Sequence, residues 1–281
     1  CRVKRIALAA LVLASLAAPS RARAEVWLDS TPKDHHSPQR FALELKAGPY
    51  SPDIDSTPGL TGKPFADLFN SQTGDNFGKR PAPKPLFIIE FDWQFWRGFG
   101  SLGLGASAGF MRRTTHAFRY PNDDASHPCV AGKDGDGNAL CERSGDTTAL
   151  NVFPLTLELV YRFDVLALKY RVPIVPYLKG GIAYYFWFIQ RGDGGLAQAD
   201  VPGVGKSQAI GGTAGLVLHP GVSIMLDAID KRAGEVLDSE LGINHVHVFA
   251  ELNYGWITGL GFKDKMVFSD TTWNVGMGFE F

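Results

Sequence analysis

Apolar side chains recur at every second position over segments longer than an ordinary strand, and the pattern runs to the last residue. No other feature of this chain limits its fold as much. In the final segment Trp273, Val275, Met277, Phe279 and Phe281 alternate with Asn274, Gly276, Gly278 and Glu280. Successive side chains of a strand point to opposite faces, so this pattern gives one apolar face and one of polar or small residues. A helix would scatter the same residues around its axis.

Seven further segments repeat the pattern. They are Arg40–Gly48, Leu86–Trp96, Ser101–Met111, Thr148–Phe163, Val175–Phe188, Ser207–Leu226 and His245–Trp256, and Ser269–Phe281 makes the eighth. A tilted strand needs about 9–11 residues to cross a bilayer, and these segments match or exceed that length. Their even number and alternation predict an all-β fold, an eight-stranded antiparallel transmembrane β-barrel with lipid on one face and lumen on the other. In the sixth segment His219-Pro220-Gly221 predicts a bulge or bend, because Pro220 has no N–H for the ladder. An open sheet edge in lipid leaves backbone groups unpaired, so the last strand is expected to pair with Arg40–Gly48.

The connections support this topology. Pro49–Pro85 and Arg112–Thr147 are long and rich in Gly, Pro, Asp and Asn, whereas Arg97–Gly100 is a tight turn. With the N-terminus in the periplasm, the long connections become extracellular loops. Asp227–Leu241 instead has helical spacing of Ile229, Ala233, Val236, Leu237 and Leu241, with Gly242 as a stop, and predicts one short periplasmic helix.

The N-terminal segment carries a targeting pattern. Arg2, Lys4 and Arg5 precede an apolar run from Ile6 to Ala18, and Ala22-Arg23-Ala24 forms a small-residue cleavage site. Residues 1–24 are therefore expected to be a signal peptide, 25–39 a periplasmic segment, and 40–281 the barrel, in the bacterial outer membrane. The formal net charge is −1, and loss of the basic signal leaves a mildly acidic chain with no electrostatic footprint for nucleic acid. Cys129 and Cys141 remain after export, where an oxidising compartment lets a disulfide persist.

The polar faces hold the candidate functional residues. Alternation turns Glu44, Lys46, Glu90, Asp92, Glu158, Arg162, Lys179 and Glu251 into the lumen. Eight strands enclose an interior that side chains fill. Charges confined there must pair, which predicts a salt-bridged network, with a gate or narrow ion path as the sharper alternative. The glycines of the third segment leave room for those long side chains. His245 and His247 share a strand face, but two ligands without a third do not make a metal site. Asp134-Gly135-Asp136-Gly137-Asn138 lacks the glycine and glutamate of a calcium loop at Ala139 and Gly145. Gly103, Gly105 and Gly109 continue a strand and are not a dinucleotide fingerprint. His116 and His127 fall in the second long loop, and neither a G-x-S-x-G elbow nor an H-E-x-x-H pair occurs. No metal, cofactor or enzymatic activity is expected.

The chain resembles the OmpA/OmpW-like superfamily of eight-stranded barrels. Its last nine residues are similar to the C-terminal signal that the barrel-assembly machinery reads in that class, which implies this machinery and outer-membrane lipid as partners. Trp273, Val275, Met277, Phe279 and Phe281 carry that signal. A narrower resemblance, to small barrels of myxobacterial type, rests on three segments: Ala47-Gly48-Pro49-Tyr50-Ser51-Pro52-Asp53-Ile54-Asp55, Tyr161-Arg162-Phe163-Asp164 and Gly242-Ile243-Asn244-His245. No peptidoglycan-binding domain follows the last strand, so the resemblance does not imply cell-wall anchoring. It implies a non-enzymatic structural or surface-interaction role, or else a narrow channel or small-ligand barrel. The extracellular partner is not specified.

Overall fold

The computed structural model describes residues 40–60, 62–69, 80–119, 142–170, 172–201, 205–226, 240–262 and 265–281. The expected signal peptide, the 25–39 segment, the Cys129–Cys141 pair, His127, the Asp134 loop and nearly all of the Asp227–Leu241 segment lie outside them.

Ten strands are present among the described residues: β1 (Phe41–Tyr50), β2 (Lys84–Gly98), β3 (Gly100–Arg119), β4 (Glu142–Arg162), β5 (Ile174–Arg191), β6 (Gln198–Val201), β7 (Gly205–Gln208), β8 (Ile210–Met225), β9 (His245–Trp256) and β10 (Asp270–Glu280). Eight of them close an antiparallel barrel in the order β1-β10-β9-β8-β5-β4-β3-β2, and β6 pairs with β7 in a separate hairpin. Closure is made by β1 against β10, with Leu43 opposite Phe279 and Leu45 opposite Met277. Phe41 and Phe281 exchange backbone hydrogen bonds of 2.8 and 2.9 Å at the seam.

The barrel is inverted relative to a water-soluble protein. Phe87, Phe91, Leu157, Ile182, Leu216, Leu252 and Trp273 are exposed on its outside, while the acidic and basic side chains Glu44, Lys46, Glu90, Asp92, Glu158, Arg162 and Lys179 are buried within. An apolar exterior around a closed ladder meets both demands of a bilayer: it presents no charge to lipid and leaves no backbone edge unpaired. The barrel spans a membrane.

Three local features depart from the expected pattern. β3 and β4 pair as far as Arg119 opposite Glu142, so Arg112–Arg119, with His116, belongs to a strand and not to a loop. These strands have 20 and 21 residues, about twice what a bilayer needs, and they project as a hairpin from the membrane. Pro220 makes no bulge; the β5–β8 register runs through it, and the β8–β9 ladder only lacks bridges between Leu218–Tyr254 and Gly221–Glu251. A bulge falls instead at Gln94/Trp96 in β2, which leaves both Phe95 and Trp96 on the outer surface.

The two ends of the barrel differ. The terminal end carries Arg40, Phe281, the Phe99 turn and a short helix, α2 (Val165–Tyr170), which the sequence pattern did not signal. The loop end carries the longer connections, a 3-10 turn at Ile54–Ser56 and helix α1 (Pro64–Phe69). The Asp55 carboxylate starts α1 by accepting from the Phe65 and Ala66 amides at 2.7 and 2.9 Å.

Candidate functional site in the barrel lumen

The eight charged side chains that alternation turns inward come from five strands, and all are buried. Seven of them form one ion-pair network, and the eighth, Glu158, lies beside it. Lys46 reaches Glu90 at 2.6 Å and Glu251 at 2.8 Å. Lys179 reaches Glu44 at 2.5 Å and Glu90 at 2.7 Å. Arg162 reaches Glu44 and Asp92, each at 2.5 Å, and Glu280 at 3.5 Å. Several of these links cross the lumen, since β5 lies opposite β1 in the strand order.

Neutral side chains complete the shell. The Tyr177 hydroxyl and the Asn274 amide donate to Glu251, each at 3.1 Å, and the Thr156 hydroxyl donates to Glu158. The Lys179 ammonium also lies 5.3 Å from the Tyr177 ring centre and 5.8 Å from that of Phe249. Glycines supply the space. A methyl group on Gly105 would come within 2.5 Å of Asp92 Oδ1, and one on Gly181 within 2.7 Å of the Glu158 Cα. One on Gly278 would collide with the His247 ring.

Two members, Glu280 and His219, are not placed in the network from the sequence, and His247 is considered there only beside His245 as a metal ligand. Glu280 and His247 sit on inward positions of clear strands, so the alternation itself could have found them. His219 lies in the segment whose pattern is weakest. Its Nδ1 is 3.6 Å from Glu158 and 3.7 Å from Glu251, and neither ring nitrogen has a hydrogen-bond partner among the described residues. His247 Nε2 is 3.8 Å from Glu44. The cluster thus sets six carboxylates (Glu44, Glu90, Asp92, Glu158, Glu251 and Glu280) against Lys46, Lys179 and Arg162, with two histidines among them. Among the described residues no group of three or more His, Cys, Asp or Glu side chains is arranged to hold a metal ion.

Toward the loop end the lumen becomes apolar. Tyr50, Leu86, Met111, Leu150, Val152, Tyr185 and Val217 line it, and Ile54, Phe65, Ile257 and Phe268 fold in from the connections to complete a buried cluster. Hydrogen bonds pin these connections: Tyr50 donates to the Phe268 carbonyl, Thr213 to Met266 and Thr115 to Leu68, at 2.8–2.9 Å. Arg113 lies 5.7 Å from the Phe65 ring centre and donates to the Ala82 carbonyl at 2.5 Å. The lumen therefore holds two successive fillings, an ionic one toward the chain ends and an apolar one beneath the loops.

The residues expected from the sequence to form a C-terminal signal occupy the outer face. Trp273, Val275 and Met277 are exposed there, and Phe279 and Phe281 are half-buried at the terminal end.

No family model and no curated protein sequence matches the chain. Solved structures similar to it include the following two. One is Ail, the attachment invasion locus protein of Yersinia pestis, at 10% identity over 86% of this chain and 97% of that chain, with a TM-score of 0.37. The other is the outer membrane protein OprG from Pseudomonas aeruginosa, at 14% identity over 88% and 97%, with a TM-score of 0.43. The barrel architecture described above rests on the strand pairing of this chain itself.

Proposed function

We propose that this chain is a non-conducting barrel of the bacterial outer membrane, without enzymatic chemistry, that acts through the surface its loop end presents. The observation that carries this reading is the double filling of the lumen. An ionic layer tied across the barrel by Lys179 and Glu44 lies in series with an apolar plug around Phe65 and Phe268. A solute would have to break buried ion pairs and then displace packed aromatics, and each step costs several kcal/mol. The projecting β3–β4 strands and the β6–β7 hairpin give the loop end a built surface, consistent with display of an interaction face.

In this reading the loop end is extracellular and the terminal end periplasmic, as the longer connections favour. The narrower likeness to myxobacterial-type barrels rests on the three sequence segments alone. A narrow channel is the second reading, and the surplus of carboxylates over fixed cations is what favours it.

Shortening the projecting hairpin separates the two. Replacing residues 117–143 by Asn-Gly leaves the membrane-spanning ladder intact. Cells carrying the shortened protein should keep normal amounts of folded barrel yet lose protein-dependent attachment or cell–cell aggregation. Unchanged surface behaviour, with small-solute uptake that depends on the protein, would favour the channel.

A further inference from the structure

The terminal end holds a feature that neither filling of the lumen uses. A cavity of about 540 Å³ lies between the β2–β3 turn and the β4–α2 junction, with Arg97, Phe99, Phe163, Asp164 and Tyr170 in its wall. The wall has two chemistries. On one side Phe99 and Phe163 stack at a tilt with centroids 5.1 Å apart, and the Tyr161 hydroxyl donates to the Phe99 carbonyl at 2.5 Å. Phe99 and Tyr170 are exposed at 68% and 63%, and Trp96 and Tyr161 are exposed beside them. Aromatic side chains gathered at the rim of a membrane barrel sit at headgroup level.

The other side is ionic. Arg97 is paired across the turn with Ser101, whose side chain is buried, and its guanidinium donates to Gln94 Oε1 at 2.6 Å. A guanidinium presents five N–H donors in a fork that suits phosphate oxygens. Asp164 is partly buried, accepts a hydrogen bond from Ser101 and lies in the field of Arg97. Burial, with a smaller push from the Glu280 carboxylate, lifts the Asp164 carboxyl above its usual range, against the opposing pull of Ser101 and Arg97. A carboxylate whose charge is disfavoured by burial gains from a further cation.

One fixed cation and one fixed anion, side by side under an aromatic rim, complement a zwitterionic headgroup joined to acyl chains. We propose that this cavity binds the phosphoethanolamine headgroup of a membrane phospholipid, with the phosphodiester on Arg97, the primary ammonium on Asp164 and the acyl chains over Phe99 and Phe163. A quaternary ammonium has no N–H to donate to Asp164, and a headgroup with no cation would meet only its negative charge. The site should therefore favour phosphatidylethanolamine over phosphatidylcholine and phosphatidylglycerol.

Native mass spectrometry of the refolded full-length barrel, exposed to equal concentrations of the dioleoyl forms of these three lipids, tests the assignment. Phosphatidylethanolamine should be retained about fivefold more than either competitor, the scale of one half-exposed ion pair. Arg97→Gln should lower retention of all three. Asp164→Asn should bring phosphatidylethanolamine down to the phosphatidylcholine level and raise phosphatidylglycerol. Heat-modifiable gel mobility shows whether each variant is folded, and if Asp164→Asn does not fold, the wild-type lipid series and Arg97→Gln decide. Equal retention of the three lipids by the wild type, or folded variants that retain them as the wild type does, would overturn the proposal.

Discussion

Lys179 and Glu44 stand on strands at opposite sides of the barrel, and their side chains meet at 2.5 Å inside it. Gly181, two residues along β5 on the same face, and Gly278, opposite Glu44 in the β1–β10 ladder, add no side chain beside the pair, and their space is taken by the Glu158 backbone and the His247 ring. The pair is one of several struts across a structure whose ladder contacts run along its wall.

Removing Lys179 leaves two buried carboxylates with one cation each, Glu44 with Arg162 and Glu90 with Lys46. Lys179→Met should destabilise the folded barrel by about 3–5 kcal/mol, the range for breaking a buried pair. Lys179→Met combined with Glu44→Gln should cost less than the sum of the two single changes, because Arg162 keeps Asp92 as a partner. Urea titration of the refolded protein measures both. A Lys179→Met barrel as stable as the wild type would remove the strut from the account.

The lumen glycines make a sharper test of packing. A methyl group on Gly181 meets the backbone of Leu157 and Glu158, which cannot turn aside, whereas one on Gly255 comes no closer than 3.7 Å to any neighbour. Gly181→Ala should therefore cost about 1–3 kcal/mol, as overpacking does. Gly255→Ala should be neutral or mildly stabilising. The same urea titration checks the pair, and equal responses would show that the space beside Glu158 is not needed.

What the sequence reveals depends on where each strand runs. Inside the bilayer the two faces meet opposite solvents, so the alternation in β1, β2, β9 and β10 assigns each side chain a direction. Beyond Met111 both faces of β3 meet water or loops, and Arg112-Arg113-Thr114-Thr115-His116 carries no alternation; the strand continues with nothing in its pattern to say so. The apolar half of the lumen is hidden for another reason. Leu150 and Val152 put apolar side chains on the inward face of β4, which is polar or charged at Thr156, Glu158 and Arg162, and Phe65 and Phe268 reach the plug from connections without a period. His219 escaped notice because Pro220 and Gly221 mask the rhythm of β8, although the strand runs through them in register.

The cysteine pair provides a further test. Cys129 and Cys141 should form a disulfide in the exported protein, closing a short loop and stabilising it by about 2–4 kcal/mol. Reduction should speed proteolysis between β3 and β4 and leave heat-modifiable mobility unchanged. Alkylation of two thiols in protein taken from the membrane without reductant would exclude the bridge.

Assembly should depend on the last residue. Phe281 exchanges backbone hydrogen bonds with Phe41 at the seam, and its side chain continues the outer row of Trp273, Val275 and Met277. Deleting Phe281, or Phe281→Asp, should lower the amount of folded protein in the outer membrane and expose the chain to periplasmic proteases. Normal amounts of heat-modifiable mutant in membrane fractions would show that the terminal aromatic is not read during assembly.

Closure of the lumen is the claim on which the functional reading stands, and single-channel recording of the refolded full-length protein in planar bilayers addresses it most directly. With folding verified by gel mobility in the same preparation, the ion-pair layer around Lys179 and the plug around Phe268 predict a silent membrane, without discrete conductance steps at either polarity. Reproducible unitary steps from folded wild-type barrels would contradict the account and make the lumen a conducting path.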